Sequence, residues 1–259
     1  MLDDLIALAL AAGREIMAVR AAGFDAEKKG DGSIVTLADQ RAEAIIEAGL
    51  AKLAPGVPML GEEAASTGRI PECGARFFCV DPLDGTRGFA KGGDEFTVNI
   101  ALVENGLPTH GVVLAPATGE LYAGEPGRAL GGREGALHPV HVRTAPARWR
   151  IVASDFSGRD ERTARFVKAL DGEIAHASSS IKFCRIAEGS ADLYPRFGDV
   201  CEWDAAAGHA ILRAAGGDII GLDGAPLRYG NAADGFLIRG FVAHSGDTAR
   251  AAALASLSG

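Results

Sequence analysis

Residues 95–124, "EFTVNIALVENGLPTHGVVLAPATGELYAG", constrain the fold more than any other part of this 259-residue chain. Three apolar, β-branched runs are separated by Asn105-Gly106 and Thr118-Gly119, and both dipeptides are hairpin signals. The middle of the chain is therefore β-rich. Just upstream, "RFFCV" (Arg76 to Val80) is apolar, aromatic and β-branched, and reads as a strand ending in a turn at Asp81.

The flanks follow other periods. Leu2, Leu5, Ile6, Ala9 and Leu10 recur at helical spacing. A second helix, after the glycine-rich "KKGDGSIV", is predicted from about Thr36 through "LADQRAEAIIEAGLAKLA", with Ile45, Ile46, Leu50 and Leu53 on one face. "PGVPMLGEE" reads as a short strand ending in Glu62 and Glu63, and "GGREGALHPVHVRTAPAR" as a loop. After it strands and helices alternate: "WRIVAS", "RDERTARFVKALDG", "EIAHASS", "IKFCRIAEGS", "ADLYPRF", and a helix from "WDAAAGHAILRAAGG". Alternation of that kind suggests a three-layer α/β half. The fold class is thus α/β, with an α+β N-terminal half over 1–145 and an α/β half over 146–259.

A 47% hydrophobic chain of this length buries a sizeable core, and its 35 glycines fit a turn-rich two-part fold. The formal net charge of −8 argues against a nucleic acid polymer as partner, because phosphate backbones need a basic face. Cys73, Cys79, Cys184 and Cys201 show no C-x-x-C spacing and read as reduced thiols of a cytoplasmic protein. The N-terminus lacks the basic start of a signal peptide. Its apolar run is cut by Gly13, Arg14 and Glu15, too soon for a membrane span.

The strand at Arg76 leads into "DPLDGT". Two carboxylates that close repel unless something positive lies between them. Ordinary turn chemistry is one reading. A calcium loop fails, because its third and fifth positions would be Leu83 and Gly85. An aspartyl-nucleophile phosphatase, with acids two apart, fails at Leu83. Binding of hard divalent cations survives, provided that other acids join Asp81 and Asp84. "GEE" supplies Glu62 and Glu63, "WDAAAGHA" supplies Asp204, and "TLAD" supplies Asp39. Each has a structural alternative: a solvated loop edge for the glutamates, a plain N-cap for Asp204, and a capping box for Thr36 with Asp39.

"GEE", "DPLDGT" and "WDAAAG", in this order and with these gaps, resemble the inositol monophosphatase superfamily of magnesium-dependent, lithium-sensitive phosphatases. The resemblance runs from the first helix to about residue 230. Within the superfamily, "FTVNIALVENGLPTHGVVLAPATGELYAG" and "SSSIKFCRIAEGSADLYPRFGDVCEWDAAAGHA" are most similar to the 3'(2'),5'-bisphosphate nucleotidases of sulfur metabolism, which hydrolyse phosphoadenosine phosphate to AMP and phosphate. The resemblance implies a layered αβαβα sandwich with the site between its halves, and two or three Mg²⁺ ions. Glu62, Asp81, the Leu83 carbonyl, Asp84 and Asp204 would hold the metals, with Asp204 also facing the substrate. Glu63 and Thr86 would orient the attacking water. Asp39, with Thr36, would touch the water shell of a further metal. The backbone around Gly85 and Thr86 would receive the phosphate. The chemistry agrees: two Mg²⁺ ions about 4 Å apart can neutralise phosphate oxygens and generate hydroxide at neutral pH.

On the substrate side, Lys182 and Arg196 are candidates for the second phosphate of a bisphosphate nucleotide. The alternatives are a solvated strand residue for Lys182 and pairing with Asp199 or Asp192 for Arg196. His209 reads as structural, and Trp203 as packing under the site. The sequence departs from the nucleotidases at Ser178, where they carry Gly, and at "SDFSGRD" (Ser154 to Asp160), where they carry S-R-S-H. These departures bear on the adenine nucleotide, for which inositol 1-phosphate or another sugar phosphate is the alternative, and leave the phosphatase chemistry untouched. The partner expected is a small phosphate substrate, with the chain a monomer or homodimer. A non-catalytic metal-binding module on the same fold is opposed by the complete set Glu62, Asp81, Asp84, Thr86 and Asp204.

Overall fold

The computed structural model describes residues 1–23, 26–28, 34–144, 146–154 and 160–257. The helical period of the N-terminus becomes α1 (Leu2–Ala22), which buries Leu2, Leu5, Ala9 and Ile16. A small antiparallel pair, β1 (Ala26–Lys28) and β2 (Ile34–Thr36), leads into α2 (Leu37–Leu53), while most of the glycine-rich linker lies outside the described residues. Then follow β3 (Met59–Gly61), α3 (Glu62–Ser66), β4 (Arg76–Asp84), α4 (Thr86–Phe89), β5 (Thr97–Glu104), β6 (Leu107–Ala115), β7 (Glu120–Glu125), β8 (Arg128–Arg133) and β9 (Ala136–Pro139). The seven strands β3 to β9 form one sheet in sequence order. Only β3 and β4 run parallel; the rest is an antiparallel meander turned at Asn105-Gly106 and Thr118-Gly119, as the sequence predicts.

Three local expectations are corrected. The stretch from 131 to 148 is not all loop, because β8 and β9 extend the meander by another hairpin with Leu130 opposite Pro139. As an edge hairpin, β9 is largely exposed and carries no apolar alternation for a sequence pattern to reveal. The strand from Arg76 continues through Asp84 instead of turning at Asp81. Glu62 and Glu63 open the short helix α3 instead of closing a strand.

The second half comprises β10 (Arg150–Ala153), α5 (Glu161–Ala169), β11 (Glu173–His176), α6 (Ile181–Ala187), β12 (Leu193–Arg196), β13 (Val200–Cys201), α7 (Glu202–Ala214), β14 (Asp218–Gly221), β15 (Leu237–Ile238), β16 (Phe241–His244) and α8 (Asp247–Leu257). Its main sheet has the order β11-β10-β12-β16-β14, and β13 pairs with β15 separately.

Three apolar clusters define the layers. Leu5, Ile16, Ile46, Val80, Ile100 and Leu114 join α1 and α2 to one face of the large sheet. Phe77, Val103, Phe183, Ile211, Tyr194 and Phe241 join its other face, through α6 and α7, to the small sheet. Phe166, Val242, Ala249 and Ala253 cover the small sheet's outer face with α5 and α8. The result is the αβαβα sandwich. Glycines set how closely α7 lies on the large sheet. A Cβ at Gly111 would come within 2.4 Å of the Ala207 carbonyl oxygen, and one at Gly124 within 2.7 Å of the Ile211 Cα. That close seating delivers the first turn of α7, with Asp204, to the end of β4. Among the described residues no helix is long and apolar enough to cross a membrane.

Candidate active site

In a regular strand residues three apart face opposite sides, so Asp81 and Asp84 should diverge. They do not, because β4 is irregular between them. Asp81 pairs with Asn99 and Asp84 with Thr97, so three steps on β4 match two on β5. That extra residue is a β-bulge, which re-aims the following side chains. Phe78, Val80 and Leu83 all enter the core beneath α1 and α2, and both acids are left on the face that meets α7. The Asp81 carboxylate accepts the Leu83 N–H at 3.0 Å and fixes the bulge. Gly85, at φ 95°, then turns the chain into α4. A Cβ there would sit 2.7 Å from Ser179 Oγ and 2.9 Å from the Glu95 carbonyl oxygen, so both conformation and space require glycine.

Asp204 arrives from the other half. It is not the N-cap of α7 but its third residue, and its carboxylate accepts the N–H of the capping Cys201 at 2.9 Å. One oxygen each of Asp81, Asp84 and Asp204 lie within 4.8 Å of one another. Glu62, at the start of α3, is close enough to raise the pKa of both Asp81 and Asp204, although it is not one of the three that converge. Burial, then Glu62, Asp84 and Asp204, push the Asp81 carboxyl well above its ordinary range. Burial, then Asp84 and Glu62, push Asp204 up to about 7. Burial raises Asp84 as well, against the pull of Lys182 and the hydrogen bonds of Ser179 and Ser180. Crowded carboxylates with only oxygen donors fit a hard divalent cation, which supplies the missing positive charge.

A pH dependence follows. In the metal-free folded protein Asp204 holds its proton more tightly, with a pKa of about 7, than a carboxyl at its ordinary value of 3.8. The associated stability is fully present below the unfolded value and is lost as pH rises through about 7. In a chelating buffer the melting temperature should therefore fall as pH rises from about 4 to about 7, the interval between the two values, and saturating Mg²⁺ should remove that fall. Differential scanning at stepped pH measures it; a metal-free profile that rises across this window would contradict the crowding.

Thr86 and Asp39 meet on the α2 side. Thr86 Oγ1 lies 3.0 Å from Asp39 Oδ1 and 2.9 Å from the Leu83 carbonyl oxygen, and its single hydrogen serves one of them at a time. The other Asp39 oxygen accepts the Thr36 N–H at 2.8 Å and the Thr36 hydroxyl at 2.6 Å. The predicted capping box is present, and the same carboxylate reaches the site through Thr86. Burial raises the Asp39 pKa against these bonds.

Glu43 belongs to none of the sequence motifs. It is buried, and its carboxylate accepts the N–H groups of Glu63 at 2.8 Å and Ala64 at 2.7 Å, thereby capping α3 and orienting Glu62 and Glu63. The available signal was a charge at position 43 inside the apolar stripe of α2, between Ala42 and Ile46. Glu63 is itself buried, and Glu62 half-buried, so neither is a solvated loop edge.

A cavity of about 380 Å³ is lined by Asp84, Gly85 and Asp204 together with Lys182, Arg196, Tyr194 and Phe241. Lys182 is no solvated strand residue. It sits buried on α6, donates to the Ser179 carbonyl at 2.7 Å and lies 5.1 Å from the centre of the Tyr194 ring. Burial, only partly opposed by Asp84, pushes its pKa down to about 8. Arg196 pairs with neither suggested carboxylate: Asp199 binds Arg239 at 2.6 Å, and Asp192 binds Arg143. Its Nη2 reaches only the Asp199 carbonyl oxygen at 3.4 Å, and its Nε is buried without a partner. Ser178 donates to Glu95 at 2.6 Å on the cavity wall, and Ser154 also lines the cavity. Residues 155–159 of "SDFSGRD" lie outside the described residues. His209 is structural as expected, held by Asp218 at 2.6 Å and the Tyr229 hydroxyl at 3.0 Å, and Trp203 is buried in the core.

The inositol monophosphatase family model matches residues 1–255. The chain belongs to the inositol monophosphatase family. Within this family, the chain is 41% identical over 244 residues to the 3'(2'),5'-bisphosphate nucleotidase CysQ of Escherichia coli K12, covering 93% of this chain and 98% of that protein. The crystal structure of CysQ from Bacteroides thetaiotaomicron, a bacterial member of the family, superposes with a TM-score of 0.78 at 33% identity, covering 95% of this chain and 97% of the other. The Thermotoga maritima IMPase superposes with a TM-score of 0.76 at 26% identity, covering 99% and 98%.

Proposed function

We propose that this member of the inositol monophosphatase family is a Mg²⁺-dependent, lithium-sensitive phosphatase that hydrolyses 3'(2')-phosphoadenosine 5'-phosphate to AMP and phosphate. One observation carries this reading. Asp81, Asp84 and Asp204 converge within 4.8 Å, and the cavity that Asp84 and Asp204 line is lined also by Lys182 and Arg196. A bisphosphate offers one group to cations held by the acids and another to the two basic side chains. The relatedness to CysQ supports the nucleotide as substrate.

Glu62, Asp81, the Leu83 carbonyl, Asp84 and Asp204 would hold two or three Mg²⁺ ions. When bound, these ions neutralise charge on the phosphate oxygens and lower the pKa of water. The protein's own groups do the rest. With its hydrogen directed to Asp39 Oδ1, Thr86 Oγ1 offers its lone pairs to an O–H of the attacking water. Glu63, held on α3 by Glu43, orients that water from the other side. The backbone at Gly85 and Thr86 receives the scissile phosphate. The reduced thiols of Cys73, Cys79 and Cys184 support a cytoplasmic location, and a place in sulfur metabolism follows from the substrate.

Phosphate release from purified protein tests the reading, with phosphoadenosine phosphate, AMP and inositol 1-phosphate compared in Mg²⁺, with and without Li⁺. The bisphosphate should give the highest kcat/KM, no turnover should occur in chelator, and Li⁺ should inhibit in an uncompetitive or mixed manner. A higher kcat/KM for inositol 1-phosphate would move the chain to the monophosphatase reading.

A further inference from the structure

Among the described residues, five buried side-chain polar atoms lack a hydrogen-bond partner, and three of them belong to Thr97 and Asn99. Both residues are fully buried. Each unpaired buried group of this kind is destabilising, so two such residues on one strand of a packed sheet call for a reason. Their location supplies one. Asn99 is the cross-strand partner of Asp81, and Thr97 that of Asp84. Val98 and Ile100 enter the core under α1 and α2, whereas Ala101 and Val103 enter the core under α7. Strand alternation therefore turns Thr97 and Asn99 to the α7 face, which the bulge gives to both acids. Directly opposed residues have Cβ atoms about 4.5–5.5 Å apart, within reach of a hydrogen bond, direct or through one water.

We infer that Thr97 and Asn99 are positioning residues that hold the carboxylates of Asp84 and Asp81 in cation-binding geometry from behind. The donor count fits. Asn99 brings two N–H donors and Thr97 one O–H. An ionised carboxylate has about four lone-pair sites. Asp81 uses one for Leu83 and keeps sites for Asn99 and a cation, while Asp84 also accepts from Ser179 and Ser180, so a bond from Thr97 would replace the long 3.5 Å contact of the Ser180 hydroxyl. The two side chains are then retained for the metal-bound state, at a cost to the metal-free one.

This inference rests on the metal-site reading, and the test separates the two. Melting temperature is followed against Mg²⁺ concentration for wild type, Thr97→Val, Thr97→Ser and Asn99→Leu. Without metal, Thr97→Val and Asn99→Leu should melt at or above wild type, because each removes an unpaired buried group while keeping the branching of the side chain. Both should need about tenfold to a hundredfold more Mg²⁺ for the same rise, the usual effect of losing a ligand's outer partner. Thr97→Ser keeps the hydroxyl and should respond like wild type. An unchanged Mg²⁺ response in Thr97→Val and Asn99→Leu overturns the inference while leaving the metal site standing. An equal loss in Thr97→Ser and Thr97→Val would indicate general loosening and overturns it too. No Mg²⁺ response in wild type removes the metal-site reading and this inference together.

Discussion

Asp84→Asn should abolish Mg²⁺-dependent phosphate release while leaving the fold intact. The substitution keeps size and shape, and Ser180 can still approach the side chain as it approaches the Asp84 carboxylate at 3.5 Å. What is lost is the negative charge of one of the three converging oxygens. A hard cation held by carboxylates loses much of its affinity and its fixed position. Charge stabilisation by such an ion is worth several kcal/mol, so kcat/KM should drop by about a thousandfold or more. The metal-free variant should melt higher than wild type, because a member of a repelling buried cluster has been neutralised. The opposed directions, activity down and metal-free stability up, separate loss of a metal ligand from loss of folding. Near-wild-type turnover would sink the proposed site.

The second large effect concerns Lys182. If its ammonium reads the second phosphate, Lys182→Met should lower kcat/KM for phosphoadenosine phosphate by roughly tenfold to a hundredfold, the worth of a charge-assisted contact. Turnover of a monophosphate should barely change, since the acids and Thr86 act on the scissile group. Methionine is preferable to alanine here, because Lys182 is buried and truncation would leave a cavity against Tyr194. The ammonium is already positioned by the Ser179 carbonyl at 2.7 Å, so little ordering is left for substrate to impose. Its pKa near 8 adds a second readout: the charge is present below that value and lost above it. Preference for the bisphosphate should therefore decline as pH rises past about 8 in wild type, and be flat in the variant. An unchanged ratio of kcat/KM values in Lys182→Met would show that Lys182 does not select the nucleotide.

Much of the site was legible in the sequence because it is written in local chemistry. Turn residues, caps and periodicity are properties of neighbouring residues. Asn105-Gly106 and Thr118-Gly119 mark the meander, and Thr36-x-x-Asp39 the capping box of α2. The spacing of Asp81 and Asp84 around Pro82 and Leu83, followed by Gly85, points to cation chemistry without coordinates. Other features depend on contacts between distant segments. The bulge that turns both acids to one face exists only through pairing with β5. Glu43 acquires its role from α3, twenty residues away, and its signal as a charge in an apolar stripe does not say what it caps. Lys182 read as equally able to be solvated, because burial on α6 is set by Tyr194 and the loop at Ser179. Sequence by itself thus determined which groups could bind a cation and where the chain would turn, since both follow from residue type and near neighbours. Tertiary structure alone decided that Asp204, some 120 residues beyond Asp84, stands within 4.8 Å of it. The close seating of α7 on Gly111 and Gly124 fixes that distance, and packing of this kind leaves no periodic trace in a single chain.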